Sequence, residues 1–220
     1  GGAVFVDLGA GTSSGADGQD AIANVENASG SAFGDTLIAG ESGAVQGIEG
    51  VATGSRLDGL AGDDSLMGSL LRDDLRGGLG NDTLSGGAGS DAVLLGLGND
   101  SVDGGTNPVF DLEGNTLGIR DAVDAMINDA SGGVLVNLGE GTTNGPDGQD
   151  TLVGIEQVDG SAHADTFIGS DRDDVFRGLG GDDTADGGTG NDWLSYLIGG
   201  STPAVLVDLG AGTSFGAGAD

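Results

Sequence analysis

Asp64, Asp73, Asp82, Asp91 and Asp100 stand nine residues apart, and each is followed two places later by an aliphatic residue: Leu66, Leu75, Leu84, Val93 and Val102. The units that carry them, from Gly59 to Asp103, read GLAGDDSLM, GSLLRDDLR, GGLGNDTLS, GGAGSDAVL and LGLGNDSVD. A second run from Gly160 to Ser195, GSAHADTFI, GSDRDDVFR, GLGGDDTAD and GGTGNDWLS, places Asp165, Asp174, Asp183 and Asp192 in the same phase. Carboxylates repeated at a fixed step, in a chain with no cysteine and one histidine, are chemistry for a hard cation held by oxygen alone. That donor set suits Ca2+ and not zinc.

Such a period divides into a six-residue turn rich in glycine and a three-residue strand in which only the middle side chain points inward. Two nonamers then make one coil, and coils stack as parallel strands in two narrow sheets around a thin aliphatic core. Turns on one edge recur every second nonamer, which brings their aspartates to about one strand spacing, roughly 5 Å. Two carboxylates at that distance repel unless a cation lies between them. Glycine lets the turn adopt positive φ and presents no Cβ to the neighbouring coil, so main-chain carbonyls can be aimed into the same space.

These units resemble the glycine-rich nonapeptide G-G-x-G-x-D-x-U-x of the repeats-in-toxin (RTX) family of calcium-binding β-rolls. The resemblance implies a ligand scheme. One turn gives the carbonyls of its second and fourth positions and its aspartate; the turn one coil later gives the carbonyls of its first and third positions and its own aspartate. On one edge this joins Leu60, Gly62 and Asp64 to Gly77, Leu79 and Asp82, and then Gly78, Gly80 and Asp82 to Leu95, Leu97 and Asp100. On the other edge Ser69, Leu71 and Asp73 meet Gly86, Ala88 and Asp91, although GSLLRD lacks the expected glycines. In the second run Ser170, Arg172 and Asp174 pair with Gly187, Thr189 and Asp192, and Ser161, His163 and Asp165 with Gly178, Gly180 and Asp183. The expected load is roughly five to eight calcium ions.

Composition agrees with this reading. Thirty-six acidic residues against six arginines give a formal charge of −30, and the acidic residues are mostly aspartate, the short side chain a turn ligand needs. Self-repulsion and few aromatics predict a chain that is loosely ordered without calcium, the ion supplying the missing favourable energy. The charge excludes nucleic-acid binding. No H-E-x-x-H, phosphate loop or cysteine nucleophile occurs, so the chain is read as not an enzyme. His163 has no second imidazole or nucleophile nearby in the sequence. No apolar stretch has transmembrane length, and membrane insertion is not expected.

A larger repeat overlies the small one. VFVDLGAGTSSGADGQD at 4–20 returns as VLVNLGEGTTNGPDGQD at 134–150, and begins again at Val205; Gly30 and Gly160 stand 130 positions apart in similar contexts. The DGQD segments, Asp17 to Asp20 and Asp147 to Asp150, are weaker ligand candidates, since Asp-Gly forms turns whatever its function. The expected organisation is all-β, a parallel β-roll or β-solenoid with calcium-bound turns: coils with longer turns over 1–58, a calcium block over 59–107, an insertion over 108–133, coils repeating 4–29 over 134–159, a second calcium block over 160–195, and the start of a further unit over 196–220. Within the insertion Ile119, Val123, Met126 and Ile127 have helical spacing and predict a short helix or irregular excursion.

Two functions fit. One is a structural segment of a large secreted surface, matrix, adhesin or filament protein, folding in extracellular calcium and associating head-to-tail or laterally with like chains. The other is the C-terminal folding and secretion module of an exoenzyme. The family resemblance implies type I secretion and an extracellular or cell-surface location, and the 130-residue repeat favours the first function.

Overall fold

Each x-U-x triplet of the nonapeptides is a strand in the computed structural model, which describes residues 1–40, 53–105, 132–146 and 148–195 and the short strands 122–124, 206–208 and 213–215. Strands alternate between two sheets along the chain. Ser65–Met67, Thr83–Ser85 and Ser101–Asp103 pair in parallel in a twelve-stranded sheet; Thr53–Ala61, Arg72–Leu79 and Ala92–Leu97 do so in an eight-stranded one. The fold is therefore all-β and mainly parallel, a β-roll in which the sheets face each other across one layer of side chains.

That layer consists of the U residues. Leu37, Leu66, Leu84, Val102 and Leu152 stand in register along the larger sheet and are almost fully buried. Leu57, Leu75, Val93, Val158 and Phe176 form the facing core of the other. Where the second block begins, larger side chains fill the gap: Phe167 of one sheet and Phe176 of the other stack with ring centroids 5.2 Å apart. Truncation of Phe167 to alanine should cost about 3 to 5 kcal/mol in urea unfolding at saturating calcium, the usual range for a buried aromatic. A loss below about 1 kcal/mol would mean that the two sheets are not held together there. Trp193, at an outward position of Trp193–Ser195, is largely exposed and joins neither sheet's core.

Two features differ from the sequence expectation. The 4–20 and 134–150 segments are not coils with longer turns. Phe5–Asp7, Thr12–Gly15 and Gly18–Ala21 form an antiparallel meander, and Leu135–Asn137 with Thr142–Asn144 repeats its first hairpin in the same register, Phe5 opposite Ser14 and Leu135 opposite Asn144. The cause is local: Gly11 and Gly141 adopt φ of +69° and +68°, and their carbonyls accept the amides of Ile22, the residue after Gly18–Ala21, and of Leu152 in the strand Thr151–Val153. Leu206–Asp208 and Thr213–Phe215 form the same hairpin a third time.

The second difference is the helix expected around Val123. Ala122–Asp124 is a strand that joins Ala92–Leu97 to Gln157–Asp159, with Val123 in register with Val93 and Val158. Ala-Val-Asp satisfies the x-U-x pattern, and pairing on both edges outweighs the weak helical period. Ile119, Met126, Ile127 and the rest of that insertion lie outside the described residues. Through this strand in one sheet and the second meander in the other, the two nonapeptide blocks belong to one pair of sheets.

Candidate metal centre

The turns stack as the strands do, so the position-six aspartates line up in rows. On one edge Asp35, Asp64, Asp82, Asp100 and Asp150 form a relay in which the amide of each aspartate donates to Oδ1 of the next, at 2.7, 2.8, 2.9 and 2.9 Å. On the opposite edge Asp73 donates to Asp91 at 2.9 Å. In the second block Asp165 donates to Asp183 and Asp174 to Asp192, both at 3.0 Å. One oxygen of each accepting carboxylate is thus consumed by the main chain.

The other oxygen is the informative one. Asp64, Asp82 and Asp100 are 3%, 2% and 3% exposed, and the Oδ2 of each is buried without a hydrogen-bond donor. A Cβ added at Gly59 would collide with Asp64 Oδ2 and lie 2.6 Å from the Gly77 carbonyl; one added at Gly77 would collide with Asp82 Oδ2 and lie 2.5 Å from the Leu95 carbonyl. Each bare carboxylate oxygen therefore faces a space shared with the first carbonyl of the next coil. The carbonyls of Leu60 and Gly62 point along the stack at Gly78 and Gly80, and those of Gly78 and Gly80 at Gly96 and Gly98; a β-carbon on any of these four glycines would strike them. The third-position carbonyls of Leu79 and Leu97 accept the amides of Gly62 and Gly80 at 2.7 and 2.9 Å, so each already uses one lone pair.

Electrostatics reports the same strain. Burial pushes Asp64 and Asp91 up to about 6 and Asp100 and Asp183 up to about 7; it raises Asp82 as well. The amide bond to Oδ1 opposes the rise, and neighbouring carboxylates add to it, Asp82 and Asp35 at Asp64, Asp150 and Asp82 at Asp100. A buried oxygen with no donor, carbonyls beside it and no nitrogen or sulfur donor is the environment a hard dication completes. Among the described residues no three acidic, histidine or cysteine side chains cluster. A cation here must take main-chain carbonyls into its shell, and the turns present them.

Four turns are built differently. In GSAFGD, GSLLRD, GSAHAD and GSDRDD the second-position serine bonds the aspartate of its own turn. Ser69 donates its amide and hydroxyl to Asp73 Oδ2 at 2.6 and 2.9 Å, and Ser170 does the same to Asp174 at 2.6 and 2.9 Å. Ser161 reaches Asp165 with its amide at 2.7 Å and its hydroxyl at 2.8 Å, and Ser31 bonds Asp35 likewise. His163, in the third of these turns, is exposed and donates its amide to Ser161 Oγ at 3.0 Å.

Two members of the row fall outside the expected ligand sets. Asp35 lies 29 residues before Asp64 and Asp150 lies 50 after Asp100, so neither shares the eighteen-residue step of their row. Of the DGQD candidates, Asp150 joins that row and Asp20 does not: Gly18–Ala21 is the outermost strand of the sheet and Asp20 is exposed, while Asp17 is exposed as well. Asp147 lies outside the described residues. The fifth turn position forms a second ladder: Asn81 donates amide and side-chain nitrogen to Asp63, Asn99 does the same to Asn81, and the Gln149 amide donates to Asn99. The recurring G-N-D was the available signal for it.

A family model for the RTX calcium-binding nonapeptide repeat matches residues 67–102 and 159–194, four copies in all. No curated protein matches the chain.

Proposed function

We propose, from the premise that these blocks are RTX calcium-binding nonapeptide repeats and the chain a calcium-binding β-roll segment, that it is a structural stretch of a large secreted surface, matrix, adhesin or filament protein. In this reading the segment folds when it meets extracellular calcium. The carrying observation is the row of buried carboxylate oxygens on Asp64, Asp82 and Asp100, each without a donor and beside main-chain carbonyls. The Leu60, Gly62 and Gly77 carbonyls would hold one ion with Asp64 and Asp82; those of Gly78, Gly80 and Leu95 would hold the next with Asp82 and Asp100. Bound there, calcium supplies the positive charge that lets buried carboxylates stay ionised, and its binding energy becomes folding energy.

Recurrence of one hairpin at Phe5, Leu135 and Leu206 supports an extended array over a single accessory block at the end of an exoenzyme. Exposed strand edges at either end of such a stack would associate with like coils. Among the described residues no helix is long and apolar enough to cross a membrane.

A calcium titration followed by far-UV circular dichroism and light scattering, with magnesium as control, tests this reading. A cooperative gain of β signal specific to calcium, with growth in mass, is the expected result. A full β signal in chelator would refute calcium-driven folding, and a strictly monomeric holo form would shift the choice to the accessory module.

A further inference from the structure

Among the described residues, ten aspartate-bearing turns outside the hairpin segments 4–20 and 134–150 fall into two separated conformations. In 59–64, 77–82, 86–91, 95–100, 178–183 and 187–192 the second and fourth residues are both left-handed, as at Leu60 and Gly62 with φ of 76° and 120°. In 30–35, 68–73, 160–165 and 169–174 no residue is left-handed, and serine holds the second position. Leu60 and Leu179 tolerate the left-handed state at position two, but at position four every left-handed residue is glycine. The serine turns carry Phe33, Leu71, His163 and Arg172 there, side chains that oppose that state by roughly 1 to 2 kcal/mol.

We infer that serine takes the place of the metal ion in these four turns, so that calcium is confined to turns with left-handed second and fourth residues. The inference rests on the calcium reading above. Three observations converge on it. The amide and hydroxyl of Ser69 and of Ser170 donate to the same carboxylate oxygen that stays bare in Asp64, Asp82 and Asp100. The serine oxygen in turn accepts the amide two residues on, from Leu71 at 3.1 Å, His163 at 3.0 Å and Arg172 at 3.1 Å, which fixes the turn in its closed form. The second-position carbonyls of Ser69, Ser161 and Ser170, needed as ligands in the RTX scheme, accept the amides of Ala88, Gly180 and Thr189 at 2.9, 3.3 and 3.2 Å.

Placing an ion in such a turn would break two hydrogen bonds to a carboxylate and force the backbone of a bulky fourth residue through a disfavoured φ. A carboxylate supplied with two donors has its charge compensated already. Three of the five ligand sets that the RTX resemblance implies, those built on Ser69, Ser161 and Ser170, are on this account metal-free. The serine turns lead each row: 30–35 precedes 59–64, 68–73 precedes 86–91, 160–165 precedes 178–183 and 169–174 precedes 187–192. A turn closed without an ion presents the next coil with a formed edge before calcium arrives.

Calcium content at saturation, by equilibrium dialysis and elemental analysis, decides the matter when far-UV circular dichroism accompanies it. Asp73→Asn should bind as many ions as the parent, whereas Asp82→Asn should bind one or two fewer. The double variant Ser69→Gly/Leu71→Gly, which turns 68–73 into the G-G-x-G-x-D form, should bind one more. Loss of an ion in Asp73→Asn, or no gain in the double variant, overturns the inference and leaves the calcium reading intact. No loss in Asp82→Asn sinks the calcium reading itself. Should Asp73→Asn fail to fold, the ion count of the double variant is decisive by itself.

Discussion

In metal-free buffer the chain should gain β structure as the pH falls from about 7 to about 4, and lose it as the pH is raised again. Ordinary carboxylates would give no such gain. Asp64 and Asp91 are pushed up to about 6 and Asp100 and Asp183 up to about 7 from 3.8, chiefly by burial. Between those values the folded chain binds more protons than the unfolded one, so stability falls with rising pH across that window and levels off above it. Each unit of displacement costs the ionised fold about 1.4 kcal/mol. Protons therefore stand in for calcium, neutralising the same oxygens. With calcium bound the dependence inverts, because acid then competes with the ion for those carboxylates. Circular dichroism against pH, with and without calcium, should give two curves that cross; a flat metal-free curve would mean that these oxygens are not what destabilises the apo chain.

Asp82→Ala should raise the calcium concentration at the folding midpoint by roughly tenfold or more, equivalent to about 1.4 kcal/mol or more. Asp103→Ala should change it less than about twofold. The two residues differ in position and not in chemistry. Asp82 sits inside the longest relay, accepting from the Asp64 amide at 2.8 Å, donating to Asp100 at 2.9 Å and keeping a buried oxygen free for both proposed sites. Its carbonyl also accepts the Ser101 amide at 2.8 Å. Asp103 is an exposed outward residue whose side chain caps the Gly105 amide at 2.9 Å. Equal shifts in the two variants would remove the basis for assigning ligands by row.

The aliphatic core was legible because it depends on phase alone: Leu66, Leu75, Leu84, Val93 and Val102 are all buried, alternating between the two sheets. Three things were not. Alternation in VFVD and VLVN identifies strands but carries no direction, and the turns at Gly11 and Gly141 reverse the chain where coils were expected. Val123 matches a helical period and an x-U-x triplet equally, and the register of its two neighbouring strands decides between them. The difference between serine and glycine turns was visible as poor glycine content, but its meaning required the hydrogen bonds of Ser69 and Ser170.

The aspartate row takes unequal steps: 18 residues from Asp64 to Asp82 and from Asp82 to Asp100, 29 from Asp35 to Asp64, and 50 from Asp100 to Asp150. Its amide-to-carboxylate bonds stay between 2.7 and 2.9 Å across all of them. Continuity of the spine is thus indifferent to how much chain is spooled out between two rungs. Loop closure adds only about 0.6 kcal/mol for each doubling of length, so the detour is cheap beside a formed rung. A protein assembled on this plan can splice foreign sequence between rungs without breaking the column. That makes the intervals between coils, and not the coils themselves, the natural ground for variation and for grafting cargo onto a rigid carrier.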